Sequence, residues 1–276
     1  MATQKTPGLR VKKISSRHHP SLKIFAQALL KGRTREGLLA FEGPHLLEES
    51  LDAGFNVRAA MVSSLGRKKF DLLLNRLSPR TRLIEVPERI FRTVSNTNNP
   101  QGLAALVKRR SGALEEILHQ PRLLLIVACG IQDPGNLGAL WRGAAALGAS
   151  ALITIRGTVN PFLPKVVRAS SGAIFRLPVF ENLNLGNLTD RLRSLNTLIV
   201  GGDAKGSTPL HEADFTARIA LLVGQEGSGL SEEAQRQADI LVRIPMRNEV
   251  ESLNVAMAGT LFLYEVARQW GFRYTP

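Results

Sequence analysis

The sequence predicts an α/β chain in two parts, a small mixed α/β domain followed by a larger one built on an open sheet. Three observations carry this. Short apolar runs alternate with stretches of helical periodicity along most of the 276 residues, the rhythm of successive strands and helices. The later strands, residues 123–129 and 219–223, read as continuous apolar runs, the mark of strands covered on both faces. The charge is uneven: residues 1–107 hold 18 Lys and Arg against 8 Asp and Glu, whereas residues 108–276 hold 18 against 15. Most of the formal net charge of +13 therefore sits in the first part.

Residues 1–16 are polar and basic and are expected to form a flexible arm. Lys5, Arg10, Lys12, Lys13 and Arg17 all precede the first acidic residue, Glu36. Transit peptides share this bias, but the modest Ser and Arg content favours an arm that contacts phosphates. From Pro20, the residues Leu22, Phe25, Ala26 and Leu29 fall on one helical face. That helix ends at Gly32, among Lys31, Arg33 and Arg35. Residues 38–41 read as a strand, and Glu42-Gly43-Pro44 turns the chain into a helix carrying Leu46, Leu47 and Leu51, stopped by Gly54. A strand over 57–62 and a helix over 67–77 follow, the helix with Phe70, Leu73 and Leu77 inward. Then come a strand over 81–86, a short helix opened by Pro87, a loop over 96–99 and a strand over 102–107. The first domain thus spans 17–107.

Residues 108–120 read as a linker with a short helix. The second domain, 121–276, opens with the strand 123–129, a loop over 130–135 and a helix over 137–147 closed by Gly148. A strand over 151–155, a helix over 165–171, a strand over 175–180, a helix over 188–195 and a strand over 197–200 follow. The last of these ends at Gly201-Gly202-Asp203. The run 219–223 enters a glycine-rich turn, Gly224-Gln225-Glu226-Gly227-Ser228-Gly229. A polar helix begins at Ser231, with Glu232 and Glu233 in the first turn, where negative charge is favoured. The run 240–244 ends at Pro245, and a loop carries Arg247, Asn248 and Glu249. Ser252-Leu253-Asn254 opens a last helix that reaches Trp270, with Leu253, Ala256, Thr260, Leu261, Tyr264 and Ala267 in one largely apolar stripe.

Composition excludes several classes. No apolar run approaches the roughly 18 residues that span a bilayer. The first 20 residues lack the apolar segment of a signal peptide. A single cysteine, Cys129, excludes an intramolecular disulfide framework and a cysteine-rich zinc site, and fits a reducing, cytoplasmic setting. The strongly basic first part points to a polyanion, and nucleic acid is the natural candidate.

Two strand ends, each running into a polar loop, suggest a ligand crevice at the carboxyl edge of the sheet. The glycine turn is not a Walker loop, since no Gly-Lys-Ser/Thr follows, and it does not have the spacing of the dinucleotide fingerprint. The stretch from Gly224 to Ser231, GQEGSGLS, and that from Ile244 to Val255, IPMRNEVESLNV, resemble the second and third motifs of the SpoU (TrmH-like) RNA 2'-O-ribose methyltransferases. The first motif of that family is matched upstream by Asp133-Pro134-Gly135-Asn136-Leu137-Gly138-Ala139-Leu140-Trp141-Arg142. Arg33, Arg35, Phe41-Glu42-Gly43 and Pro100-Gln101-Gly102 carry a looser resemblance to the L30e-like substrate-binding domain of its ribosomal RNA members.

The resemblance implies a SPOUT fold, in which the C-terminal segment threads a loop to make a trefoil knot, preceded by an L30e-like domain. It implies S-adenosyl-L-methionine as cofactor, no metal, and a homodimer formed through the last helix. Main-chain groups around Gly224, Ile244 and Leu253 would hold the cofactor, with Gly201, Gly202, Val223, Pro245 and Met246 beside them. In the family, the arginine corresponding to Arg142 acts on the 2'-hydroxyl with help from the substrate phosphate. A guanidinium is a poor base, so clamping the phosphate and orienting the hydroxyl is the safer role. Asn136 would fix its loop or contact the ribose, and Glu226 would hold Arg142 or a backbone amide. Ser252 and Asn254 belong to the active centre, although either fits a helix N-cap. Arg247 and Asn248 replace residues that are small in many relatives, which bears on substrate contacts. Arg33 and Arg35 are the expected RNA contacts. Ribosomal RNA is preferred over transfer RNA because of the extra N-terminal domain. The alternatives are a transfer RNA enzyme, a resistance methyltransferase, or a non-catalytic RNA-binding assembly factor.

Overall fold

The computed structural model of the chain describes residues 10–109, 112–247 and 252–273. Residues 1–9 of the expected arm, and Asn248 and Glu249 of the motif-three loop, lie outside them. The chain divides into two compact units: Met1–Arg110 with Phe162–Phe175, and Ser111–Pro161 with Arg176–Pro276.

The first unit runs β1 (Val11–Lys13), α1 (Pro20–Lys31), β2 (Leu39–Glu42), α2 (Pro44–Asp52), β3 (Val57–Ser63), α3 (Ser64–Lys69), α4 (Asp71–Leu74), β4 (Arg82–Val86), α5 (Glu88–Val94) and β5 (Leu103–Val107). Its described strands form a mixed five-stranded sheet in the order β1-β4-β3-β5-β2. Leu22, Phe25 and Leu29 of α1 pack with Ile90 and Phe91 of α5 over Met61, Ile84 and Leu106 of the sheet. The arm expected over 1–16 is structured at its end. Val11–Lys13 pair in parallel with Leu83–Glu85 as an edge strand, and Ile14 enters the core. The helix expected over 67–77 starts earlier, because the Ser63 hydroxyl accepts the Gly66 N–H as an N-cap, and it breaks at Phe70 (φ −111°, ψ 24°).

Residues 162–175 complete this unit. They carry a short helix, Pro164–Ala169, with Val166 and Val167 buried. Phe175, expected in a strand, lies in a 3-10 turn instead. Its ring stands edge-on to Phe41 and Phe55, with centroids 5.3 and 5.1 Å away. Burial among aromatics outweighs its strand propensity.

The second unit continues with α6 (Leu114–Leu118), β6 (Leu124–Ala128), α7 (Pro134–Ala146) and β7 (Ala151–Ile155). The short helix just described is α8, and β8 (Val179–Leu183), α9 (Leu185–Ser194) and β9 (Leu198–Gly202) follow it. The chain then forms β10 (Thr208–Pro209), β11 (Ile219–Val223), α10 (Glu232–Gln237), β12 (Ile240–Arg243) and α11 (Val255–Gln269). Seven described strands form a sheet in the order β10-β12-β9-β11-β6-β7-β8, and every pairing is parallel. All residues of β6, β7 and β11 are buried, which accounts for their apolar sequence, broken only by Thr154 of β7, whose Oγ1 accepts the Asn182 N–H at 3.2 Å.

This order positions the site. From β6 the chain builds outward through β7 and β8, then returns to the other side for β9 and β11. β6 and β11 are neighbours, so the loops leaving their carboxyl ends diverge there, as in other open parallel sheets that bind ligands at that point. Four strand ends open on this edge: β6 toward Asp133, β9 at Gly202, β11 at Gly224 and β12 at Ile244. Helices α7 and α11 pack against each other through small residues. A Cβ on Gly143 would stand 2.6 Å from Thr260 Oγ1, and one on Gly259 would stand 2.4 Å from Leu140 Cδ1.

Candidate active site

The three motifs meet through side chains. Asp133 caps α7, its Oδ1 accepting the Asn136 N–H at 2.9 Å, with Pro134 in the first turn where its missing N–H costs nothing. The helix thus begins at Pro134 rather than 137, and Asn136 lies in its first turn. Asn136 Nδ2 donates to Glu226 Oε1 at 2.8 Å, and Asn254 Nδ2 donates to Asn136 Oδ1, also at 2.8 Å. Asn254 Oδ1 then accepts the Ala256 and Met257 N–H groups at 3.0 and 3.3 Å, capping α11. One carboxylate sets every polarity in this chain. A carboxylate oxygen accepts, so Asn136 turns its NH2 toward Glu226 and its oxygen toward Asn254.

Beside this relay lies a cleft of about 330 Å³ at the carboxyl edge of the sheet. Val223, Ile244, Met246, Leu253 and Phe262 give it an apolar side, and Asp203, Lys205, Gln225, Ser228 and Gln235 a polar one. The glycine turn is closed tightly: Gln225 N–H donates to Gly229 O at 2.8 Å, and the reverse bond measures 3.1 Å. A Cβ on Gly224 would come within 2.1 Å of the Gly229 backbone, so only glycine permits the turn.

Two comparisons decide what this arrangement is. Residues 123–264 match the SpoU rRNA Methylase family, and residues 23–105 match the MRM3-like substrate binding domain. The chain is 31% identical to the 23S rRNA (guanosine(2553)-2'-O)-methyltransferase RlmP of Bacillus subtilis, over 86% of this chain and 91% of that one. The chain belongs to the SpoU methylase family. Among solved structures, the SpoU methyltransferase AviRb of Streptomyces viridochromogenes, in complex with the cofactor AdoMet, is similar with a TM-score of 0.82 at 29% identity, covering 92% of this chain and 98% of that one. An AdoMet-bound rRNA methyltransferase of Sinorhizobium meliloti is similar with a TM-score of 0.81 at 29% identity, over 94% and 98%.

In this SpoU chain the residues named from the sequence fall in three groups. Asn136, Glu226 and Asn254 are joined in the relay. Gly202, Val223, Gly224, Ile244, Met246, Ser252 and Leu253 line the cleft, whereas Gly201 and Pro245 do not. Gly201 faces the other side of the sheet, where a Cβ would meet Leu241 Cδ2 at 2.6 Å and Leu230 Cδ1 at 3.0 Å. It is a packing glycine, as strand alternation from Gly202 requires. The cap of α11 is Asn254, not Ser252.

Arg142 stands apart. Six residues beyond Asn136 on one helix, it points about 120° away round the axis. It is exposed and holds no hydrogen bond or ion pair among the described residues. Glu226 therefore anchors Asn136, and the expected Glu226–Arg142 pairing is absent. Arg33 and Arg35 lie in the first unit. Arg35 is exposed, but Arg33 is half-buried, its guanidinium 5.7 Å from the centroid of Phe162, over which Arg109 also lies at 3.9 Å.

Asp203, Lys205, Gln235 and Phe262 line the cleft but were not singled out from the sequence. Asp203 had a signal, an acid directly after a strand ending in two glycines. Burial pushes the Cys129 thiol up to about 12, which makes it an inert small side chain. Among the described residues no group of three or more His, Cys, Asp or Glu is placed to hold a metal, and no helix is long and apolar enough to cross a membrane.

Proposed function

We propose that the protein methylates a ribose 2'-hydroxyl of ribosomal RNA, with S-adenosylmethionine as donor, as a cytoplasmic homodimer. The observation that carries this reading is the Glu226–Asn136–Asn254 relay, which ties the three motifs together at the edge of the cleft. A cleft of about 330 Å³ with an apolar wall and a few convergent polar groups fits a nucleoside-sized ligand. S-adenosylmethionine supplies an electrophilic methyl carbon on a sulfonium when bound. The apolar side chains of Val223, Ile244, Leu253 and Phe262 would hold its base, and the main chain around Gly224 and Leu253 would fix its orientation.

The remaining work falls to this chain's own side chains. The relay locks the starts of α7 and α11, so that the loops carrying Glu226 and Ser252 stay in place, and such positioning supplies a large part of rate enhancement. Arg142 acts as a phosphate clamp that orients the hydroxyl, its planar fork of N–H donors matching phosphate oxygens. Among the described residues its side chain has no hydrogen-bond or ion-pair partner, and its exposure leaves it accessible to RNA. The basic first unit, with Arg33 and Arg35, binds the RNA flanking the target. Ribosomal RNA is favoured because RlmP and the Sinorhizobium enzyme, both named for it, align along nearly the whole chain. The homodimer reading rests on α11, which leaves Met257, Leu261 and Tyr264 exposed on one face at 60, 43 and 50%.

The test is methyl transfer from labelled S-adenosylmethionine to ribosomal RNA by the wild type and Arg142→Ala. Turnover should fall at least about 100-fold in the variant, with S-adenosylhomocysteine affinity unchanged. A variant that methylates normally would remove Arg142 from the reaction. Absence of both methyl transfer and cofactor binding in the wild type would leave only an RNA-binding role.

A further inference from the structure

We propose that Asp203 holds the ribose diol of the bound adenosine and makes the site selective for a ribonucleoside cofactor. This rests on the reading of the cleft as the S-adenosylmethionine site. Asp203 is the first residue past β9 and contributes the one carboxylate among the described lining residues. It is held from two sides. Its Oδ1 accepts the Lys205 N–H at 2.8 Å, and its Oδ2 accepts Gln235 Nε2 at 3.0 Å. Gln235 Nε2 is itself fixed by the Leu230 carbonyl at 3.1 Å.

A carboxylate offers about four acceptor positions, so beside these two bonds each oxygen of this cleft-lining residue keeps one more for a ligand. A vicinal diol presents two neighbouring O–H donors and matches two such oxygens. An acid at the end of a strand beside a glycine-rich turn performs this service for nucleotide riboses in other open sheets. Val223, Ile244, Leu253 and Phe262, which line the same cleft, form an apolar surface suited to a purine. Gly202 adjoins Asp203, and a Cβ there would crowd the Phe262 ring at 3.2 Å. The other group Asp203 would attract is the cofactor's ammonium. Lys205 lines the same wall, and its positive charge disfavours a second cation there. The neutral diol is therefore the better occupant.

The test uses the full-length chain and calorimetric titration with S-adenosylhomocysteine, with 5'-methylthioadenosine (which lacks the amino-acid end), and with the 2'-deoxy and 3'-deoxy forms of the latter. The wild type should bind the ribose form at least about 10-fold tighter than one of the deoxy forms. Asp203→Ala should weaken 5'-methylthioadenosine and S-adenosylhomocysteine alike, on the order of 10- to 100-fold, and leave the deoxy form nearly unchanged, so that the preference disappears. Asp203→Asn keeps the Lys205 contact and should fall between them at an unchanged melting temperature, which separates recognition from folding. An Asp203→Ala variant that keeps the ribose preference overturns the proposal. So does a loss confined to S-adenosylhomocysteine, which would assign Asp203 to the ammonium. A wild type that binds S-adenosylhomocysteine with no ribose preference refutes this inference alone, whereas one that binds no nucleoside at all refutes the reading of the cleft as well.

Discussion

Asn254 reaches 118 residues back along the chain to donate its side-chain N–H to Asn136 Oδ1 at 2.8 Å, while its own oxygen caps α11. One amide therefore performs two separable tasks. Asn254→Asp keeps the capping oxygen but sets acceptor against acceptor at Asn136. Asn254→Ala loses both. Asn254→Ala should cost about 1 kcal/mol and a few degrees of melting temperature. The aspartate variant should stay within a degree or two of the wild type. Methyl transfer should drop at least about 10-fold in both. Thermal melting beside initial rates separates the tasks, and an aspartate variant with full activity would show that the Asn136 contact does not serve turnover.

At the crossing of α7 and α11, Gly143 leaves no room for a methyl group beside Thr260, whose hydroxyl is held by the Ala256 carbonyl at 2.7 Å. Gly143→Ala should destabilise by about 1–2 kcal/mol, overpacking outweighing the gain in helix propensity. In a Thr260→Ala background the same change should become neutral or stabilising. Chemical denaturation of the four variants measures the coupling, and simple additivity would mean that the two helices do not meet as described.

Glu265 is nearly buried on α11. Its carboxyl is held below the ordinary carboxylate range chiefly by hydrogen bonds from Arg268, at 2.9 and 2.7 Å, with Gln269 contributing at 2.8 Å and burial opposing them. A carboxylate depressed in the folded state adds stability above its unfolded value of about 4.3. That stability is lost as pH falls through the lower folded value. The melting temperature should therefore decline as the pH is lowered from about 5 toward 3. Glu265→Gln should flatten this acid limb and change little at pH 7 beyond a constant offset. An unchanged acid limb would mean that Glu265 is not depressed.

Much of the second unit was legible because its central strands are buried on both faces. Residues 151–155 and 219–223 coincide with β7 and β11, and the run 123–129 encloses β6, since the burial of these strands selects almost only apolar side chains. The edges were not legible. Val11–Lys13 is an exposed, basic three-residue strand, and Thr208–Pro209 has two residues, so neither carries a periodic signal. Phe175 looked like the start of a strand, yet its place is decided by Phe41 and Phe55, more than a hundred residues away. The motifs named Asn136, Glu226 and Asn254 but not their pairing. Glu226 was expected to hold Arg142 or a backbone amide, whereas its described partner is the Asn136 side chain, which the start of α7 at Pro134 turns toward it while Arg142 points elsewhere. The distinction between Gly201 and Gly202 follows from strand alternation and was within reach of the sequence.

The most direct test of the central claim is the chemical position of the transferred methyl group. Ribosomal RNA and transfer RNA would each be incubated with labelled S-adenosylmethionine and the wild-type protein, hydrolysed in alkali, and scored for label in resistant dinucleotides, which form only where a 2'-oxygen is methylated. The expected result is label in resistant dinucleotides from ribosomal RNA and none from transfer RNA. Label released as mononucleotides would contradict ribose chemistry, and label confined to transfer RNA would contradict the substrate.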